Sequence, residues 1–275
     1  PKKAGVQTNV AFVNINKSTR LTLPFDTPYF NYMFDDFNGV TIVSLPDITA
    51  IPEFKGALIN LIQIAKCQNK QLLWLTLPRI QAVYIPVATD LGFTFHNCLS
   101  DEITLTLSLK EGAYIPFVPT YTIGAGAIVL NKHNELLVIR ERIATSIAYK
   151  LPGGHVELTE KISEAIVREV FEETGIHAQF NSILGMTSKH PYRFGKSNMY
   201  FICKLEALSE SIDIQDTDEI IDAKWIKIDD YIKDETHHIF NRQMVEQLHN
   251  KEGFKHFNAS NKGESNPKLE TFFSC

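Results

Sequence analysis

Cysteine is scarce: four in 275 residues, Cys67, Cys98, Cys203 and Cys275, widely scattered and never in a Cys-x-x-Cys pair. That usage excludes a disulfide framework and a cysteine zinc site, and it suits reduced thiols in a cytosolic protein. No apolar run approaches the ~20 residues of a membrane-spanning helix. The opening Pro1-Lys2-Lys3-Ala4-Gly5 lacks the apolar core of a secretion signal, so a cytoplasmic location is expected. An excess of positive charge is missing as well. With 27 Lys and Arg against 32 Asp and Glu, the net charge of −5 gives no general attraction to nucleic acid or to an anionic membrane. A phosphate-bearing ligand must then be held by local cations and metal.

What is present is 44% hydrophobic and 21% charged residues, enough for two buried cores at this length. Residues 1–20 are mostly polar, and 21–38 are rich in aromatics (Phe25, Tyr29, Phe30, Tyr32, Phe34, Phe37), with loops and short strands expected. Val40–Val43 reads as a strand ended by Pro46. Phe54–Cys67 has helical apolar spacing, with Pro52 suited to its first turn. Gln71–Leu77 reads as a buried strand. Arg79–Leu91 reads as a second helix that Pro86 kinks or splits, and strands follow after Gly92 and over Ile103–Leu109. Tyr114–Pro119 is a Pro-bounded extended linker. Strands are then expected over Thr122–Leu130, Leu136–Arg140, Phe180–Thr187, Asn198–Leu205 and Ile221–Ile228, with a helix over Ile239–Leu248. Residues 250–271 are polar and expected to be mobile, with Phe272-Phe273 able to dock.

The most informative stretch is Gly154–Ile176. Glu169, Glu172 and Glu173 stand at helical spacing, with Glu173 ~40° to one side of Glu169 and Glu172 ~60° to the other. Like charges at such spacing weaken a helix unless a hard, oxygen-seeking divalent cation offsets them. Val167, Val170 and Phe171 mark the apolar edge, and Gly175 a left-handed stop. An exposed acidic face is the plain alternative. The flanks argue against it, since Gly153-Gly154 precedes and Arg168 adjoins Glu169. The pattern G-x5-E-x7-R-E-U-x-E-E-x-G-U, with U aliphatic, is met at every defined position: Gly154, Glu160, Arg168, Glu169, Val170, Glu172, Glu173, Gly175 and Ile176. A chance match is on the order of 10⁻⁷ from average residue usage.

This run resembles the Nudix box. The resemblance implies a loop–helix–loop site that cleaves nucleoside diphosphates linked to a second group, with Mg²⁺ or Mn²⁺. It implies Glu169, Glu172, Glu173 and the Gly153 carbonyl as metal ligands. Arg168 would orient Glu169 and Glu173, and Glu160 would clamp the loop, with metal ligation as its alternative. The catalytic base is left open among Glu219, its neighbour Asp218 and a box glutamate. Arg142 falls where some members carry a phosphate-binding Arg. Lys189, Tyr192, Arg193 and Lys196 lie in a run that mixes cations with aromatics, suited to phosphate contact and base stacking. A mobile hairpin loop with ordinary surface charge is its plain alternative. His155 and His177 read as structural.

Segments WLTLPRIQA, LGFTFHN, IGAGAIVLN and FGKSNMYFICKL resemble one group of animal and plant Nudix proteins, of which plant members hydrolyse ADP-ribose and NADH. The array S-Q-P-W-P-F-P-x-S of dedicated NADH enzymes is not matched between Ser188 and Ser197, so ADP-ribose is expected to be at least as good a substrate as NADH. Val83–His96 resembles a late segment of GNAT acyltransferases, whose R/Q-x-x-G-x-G/A pyrophosphate loop is nowhere in the chain. The expected fold is α/β: a GNAT-like mixed-sheet domain without acyltransferase activity at 1–115, a Nudix α/β/α sandwich at 120–250 and a polar tail at 251–275. The aromatic segment 25–37 and the sheet edge offer surface for a homodimer. A Nudix-fold protein that senses such a ligand with little turnover is the competing function.

Overall fold

The structure, a computed structural model, describes residues 30–45, 50–143, 147–257 and 269–274. Expectations for residues 1–29, for Pro46, for residues 258–268 of the tail and for Cys275 lie outside them. The chain divides into two compact units, Pro1–Val118 and Pro119–Cys275.

The first unit holds β1 (Asn31–Phe34), β2 (Gly39–Ser44), α1 (Ile51–Cys67), β3 (Leu72–Pro78), a 3-10 turn at Arg79–Tyr84, α2 (Ile85–Asp90), β4 (Thr94–Cys98) and β5 (Glu102–Ser108). Its sheet runs β1-β2-β3-β5-β4. The α1 crossover makes β2 and β3 parallel, while the other pairs are antiparallel. Pro86 divides the expected helix: the 3-10 turn ends before it, and α2 begins with proline in its first turn, where the missing N–H has no partner to lose. Leu73, Leu75 and Leu77 alternate into one core with Leu58 and Leu61 of α1. The Phe54 and Tyr84 rings stack there at 4.0 Å.

The second unit holds β6 (Tyr121–Leu130), β7 (Glu135–Glu141), β8 (Gly153–His155), α3 (Ile162–Thr174), β9 (Ala178–Lys189), β10 (Ser197–Ala207), β11 (Ile220–Lys227), α4 (Ile228–Lys233), α5 (Ile239–Leu248), β12 (Phe254–His256) and β13 (Phe272–Ser274). The sheet order is β11-β7-β6-β10-β9-β12-β13, with β8 on the free part of β6. Period-two alternation divides β6 between two cores. Ala125, Ala127 and Val129 pack with Ile166 and Val170 of α3, and Ile128 packs with Tyr231, Met244 and Val245 of α4 and α5. The result is the expected three-layer sandwich.

Three details differ from expectation. The approach to the box is partly a strand: β6 and β7 pair only at Leu130↔Leu136, and the chain from Lys150 to His155 fills the gap that opens beyond. The strand expected to reach Ile228 stops at Lys227, and Ile228 starts α4. The start of the polar tail, expected to be mobile, forms β12 on the edge of β9, while Phe272-Phe273 docks as expected, in β13 against β12. Unpaired edge N–H and C=O groups are the driving cause.

Phe54→Ala is expected to lower the stability of the first unit by about 3–5 kcal/mol, the cost of an emptied aromatic site in a core. Urea denaturation followed by Trp74 emission, in a Trp225→Phe background, reads it. An unchanged midpoint would contradict this core assignment.

Candidate active site

Helix α3 buries Ala165, Ile166, Val170, Glu173 and Thr174, so its inward stripe itself contains a carboxylate. The three glutamates therefore occupy three environments: Glu173 is 4% exposed, while the side chains of Glu169 and Glu172 are 17% and 48% exposed. Phe171 does not join the core as expected; it stacks on His177 at 4.9 Å and lines an open groove with Val167 and Leu208.

Glu173 accepts the Gly153 N–H at 2.7 Å. Burial pushes its carboxyl up to about 8, and the charges of Glu169 and Glu219 add to the rise while Lys150 and the Gly153 bond oppose it. Burial also raises Glu169, against the pull of Arg168. Arg168 donates to Glu160 at 2.8 and 2.9 Å, to Glu169 at 3.0 Å and to Glu172 at 2.9 Å. A further bond reaches the His155 carbonyl at 3.2 Å. The fork thus takes Glu172 in place of the expected Glu173, because Glu173 points inward to the backbone of β8. Glu160 also accepts the Glu157 N–H at 3.0 Å, which closes the loop before α3 onto the helix. Its bonds from Arg168 hold the Glu160 carboxyl below the usual range.

Two turns here need glycine. At Gly153, with φ +144°, a Cβ would lie 2.2 Å from the Ala125 carbonyl oxygen, and at Gly154 it would lie 2.6 Å from the Glu169 carboxylate. Gly175, with φ +71°, ends α3 and donates to Phe171 O at 2.7 Å.

The loop before β11 docks on the C-terminal end of α3. Gln215 and Asp216 N–H groups donate to the Glu172 carbonyl at 3.1 and 2.8 Å, and Asp213 N–H donates to that of Thr174 at 2.9 Å. Asp216 Oδ1 accepts the N–H groups of Asp218 and Glu219 at 3.2 and 3.1 Å, and Arg142 N–H donates to the Glu219 carbonyl at 2.7 Å. The Arg142 guanidinium grips the Thr217 carbonyl at 3.0 and 2.8 Å. Arg142 is thereby a brace of this loop. Glu219 is exposed, and its charge reaches both Glu169 and Glu173. Asp218, also exposed, is its neighbour.

The sequence matches the NUDIX domain family over residues 120–248 and a second family, described as Nudix hydrolase domain, over 30–109. It is 36% identical over 210 residues to nucleoside diphosphate-linked moiety X motif 6 of Homo sapiens, covering 73% of this chain and 66% of that protein. It is 34% identical over 206 residues to Nudix hydrolase 8 of Arabidopsis thaliana, covering 73% and 56%. It is 32% identical over 223 residues to Nudix hydrolase 5 of the same plant, covering 78% of this chain and 74% of that one. The chain belongs to the Nudix hydrolase family. It spans less than two thirds of the length of the first two of these relatives.

Around this Nudix box the other predicted residues fall unequally. The β9–β10 hairpin carries the mixed run. Lys189 and Arg193 lie over the Tyr192 ring at 5.7 and 5.8 Å. Lys196 donates to the Pro119 carbonyl at 3.1 Å, so that cation is tied down. The register Ser197↔Tyr121 and Tyr200↔Gly124 sets the hairpin three residues along the sheet from the level of β8.

Sequence reasoning missed Lys150, Glu141 and Tyr200. Lys150 pairs with Glu141, and its charge favours ionised Glu173. The Tyr200 side chain lies over Gly124 and Gly126, where a Cβ would approach its ring to 2.9 Å and its hydroxyl oxygen to 2.2 Å. Burial first, then the charges of Glu173 and Glu169, raise its hydroxyl. Two glycines inside one strand were the available signal, since they mark close approach.

The donor set suits a hard divalent cation: it is oxygen-only, and Glu173 and Glu169 are both disfavoured as anions without added positive charge. Ligation by Glu172 would exchange its bond to Arg168. Among the described residues no three acidic, His or Cys side chains converge as a ready metal cage.

Glu173 carries a pH signature. Its carboxyl is raised from about 4.5 to about 8, so the stability tied to its protonated form is full below the lower value and is lost as pH rises through the upper one. In chelator, thermal melts should fall across that window, and Glu173→Gln should remove this part of the fall. An identical slope in the variant would assign it elsewhere.

Proposed function

We propose that this chain hydrolyses the pyrophosphate bond of nucleoside diphosphate derivatives with a divalent cation, ADP-ribose foremost and NADH second, releasing AMP and a phosphorylated product. The buried Glu173 carboxylate, on the same two turns as Glu169 and Glu172, carries the reading. The name of the human relative, a nucleoside diphosphate-linked moiety X protein, supports the substrate class.

Glu169, Glu172, Glu173 and the Gly153 carbonyl would hold Mg²⁺ or Mn²⁺. When bound, such a cation neutralises charge on phosphate oxygens and lowers the pKa of bound water. Arg168 keeps Glu169 and Glu172 in place, a task its fork performs and a lysine would not. Glu219 takes the proton of the attacking water, on a loop fixed by Asp216 and Arg142; Asp218 and a box glutamate are the alternative bases. Tyr192, flanked by Lys189 and Arg193, offers a ring for a base and cations for phosphates. Arg142 and Lys196 shape the loops through their carbonyl partners.

A second reading, a ligand-sensing protein with little turnover, draws on one observation. Glu172 and Glu173 are already engaged by Arg168 and Gly153 rather than converging on a cation site.

Turnover of ADP-ribose, NADH, FAD, a diadenosine polyphosphate and dGTP in Mg²⁺ and in Mn²⁺ separates the two. ADP-ribose is expected at least as fast as NADH, with turnover abolished in Glu172→Gln and Glu173→Gln. Glu219→Gln should lower kcat ~10²–10⁴-fold if it is the base. Tight ADP-ribose binding without cleavage would favour the sensor, and preference for dGTP would refute the substrate assignment.

A further inference from the structure

Helix α3 begins without a cap of its own. Lys161 stands at the N-cap in an extended conformation and makes no side-chain cap bond. The first-turn amides are taken instead by a residue more than a hundred positions away. Glu270 accepts the Ile162 N–H through Oε2 at 3.0 Å and the Ser163 N–H through Oε1 at 3.1 Å. One carboxylate thus satisfies two of the helix's unpaired donors and sets negative charge at the positive end of its dipole.

The delivery of Glu270 is built into the sheet. Phe254↔Ile183 joins β12 to β9, and His256↔Phe272 joins β13 to β12. Phe257 N–H donates to the Thr271 carbonyl at 2.7 Å, one residue from Glu270. The Phe272 ring packs on Phe180 at 5.7 Å, which fastens the strap to the core behind α3. Glu160, which clamps Arg168, lies two residues before Ile162. An unwound first turn of α3 would therefore loosen the Glu160–Arg168–Glu169 chain of bonds.

We propose that Glu270 is a positioning residue for the acidic helix, so that docking of the C-terminal strap sets α3 and the carboxylates it carries. The Mn²⁺-binding and kinetic readouts of this inference rest on the hydrolase reading above; the exchange readout does not. In the full chain, Glu270→Ala should reduce amide-exchange protection at Ile162 and Ser163 on the order of fivefold, the usual effect of a lost cap. It should weaken Mn²⁺ binding and lower kcat for ADP-ribose, with KM little changed. Lys161→Ser, which supplies a local cap, should restore both protection and kcat in the Glu270→Ala background. Glu270→Gln, with one acceptor oxygen, should fall between. Wild-type protection in Glu270→Ala, or no rescue by Lys161→Ser, would overturn the proposal. If the wild type cleaves nothing, the exchange measurements still decide it.

Discussion

Glu173 is held out of water on the same two turns of helix as two other glutamates, with a backbone N–H as its hydrogen-bond donor. A buried carboxylate is stable only with a partner or with its proton, and this constraint organises the surroundings. The Gly153 N–H must face the helix, which requires the backbone of β8 to lie against β6 at a separation that a side chain would not permit. The gap into which β8 fits exists because β6 and β7 part after a single pair. Gly154 leaves room for the Glu169 carboxylate, and Lys150 brings a positive charge from the same segment. Strand divergence, Gly153 and Lys150 thus serve the placement of Glu173, and Gly154 that of Glu169.

The remaining charge is divided rather than neutralised in place. A single guanidinium, Arg168, serves Glu160, Glu169 and Glu172; its bonds to Glu160 and Glu169 are partly buried, where each counts for more than on an open surface, while Glu172 is half exposed. Segments distant in sequence hold both ends of α3. The loop carrying Glu219 covers the last carbonyls, and Glu270 covers the first amides. A helix that would be weak alone, with like charges at adjacent turns, is made by its tertiary contacts.

Local sequence was enough for the family and for most of the strands and helices, and it singled out Glu169, Glu172 and Glu173 as candidates. Those depend on local spacing: alternation for strands, a 3.6-residue period for helices, and a motif whose residues all lie within two dozen positions. Pro86 marked the division of a helix for the same reason, since its effect is confined to its own turn. Long-range packing sets which glutamate goes inward, whom Arg168 binds, and what Arg142 and Lys196 hold. A helical wheel places Glu169, Glu172 and Glu173 on one edge, but the difference between 4% and 48% exposure depends on what packs against that edge. Lys150 and Glu270 have no local signature, because each acts on residues many positions away, and Tyr200 is announced only by the glycines of another strand. The described ends of the polar tail were only partly legible for that reason: Phe272-Phe273 announces its docking by apolarity, whereas the open edge of β9 and the uncapped start of α3 supply partners that composition does not record.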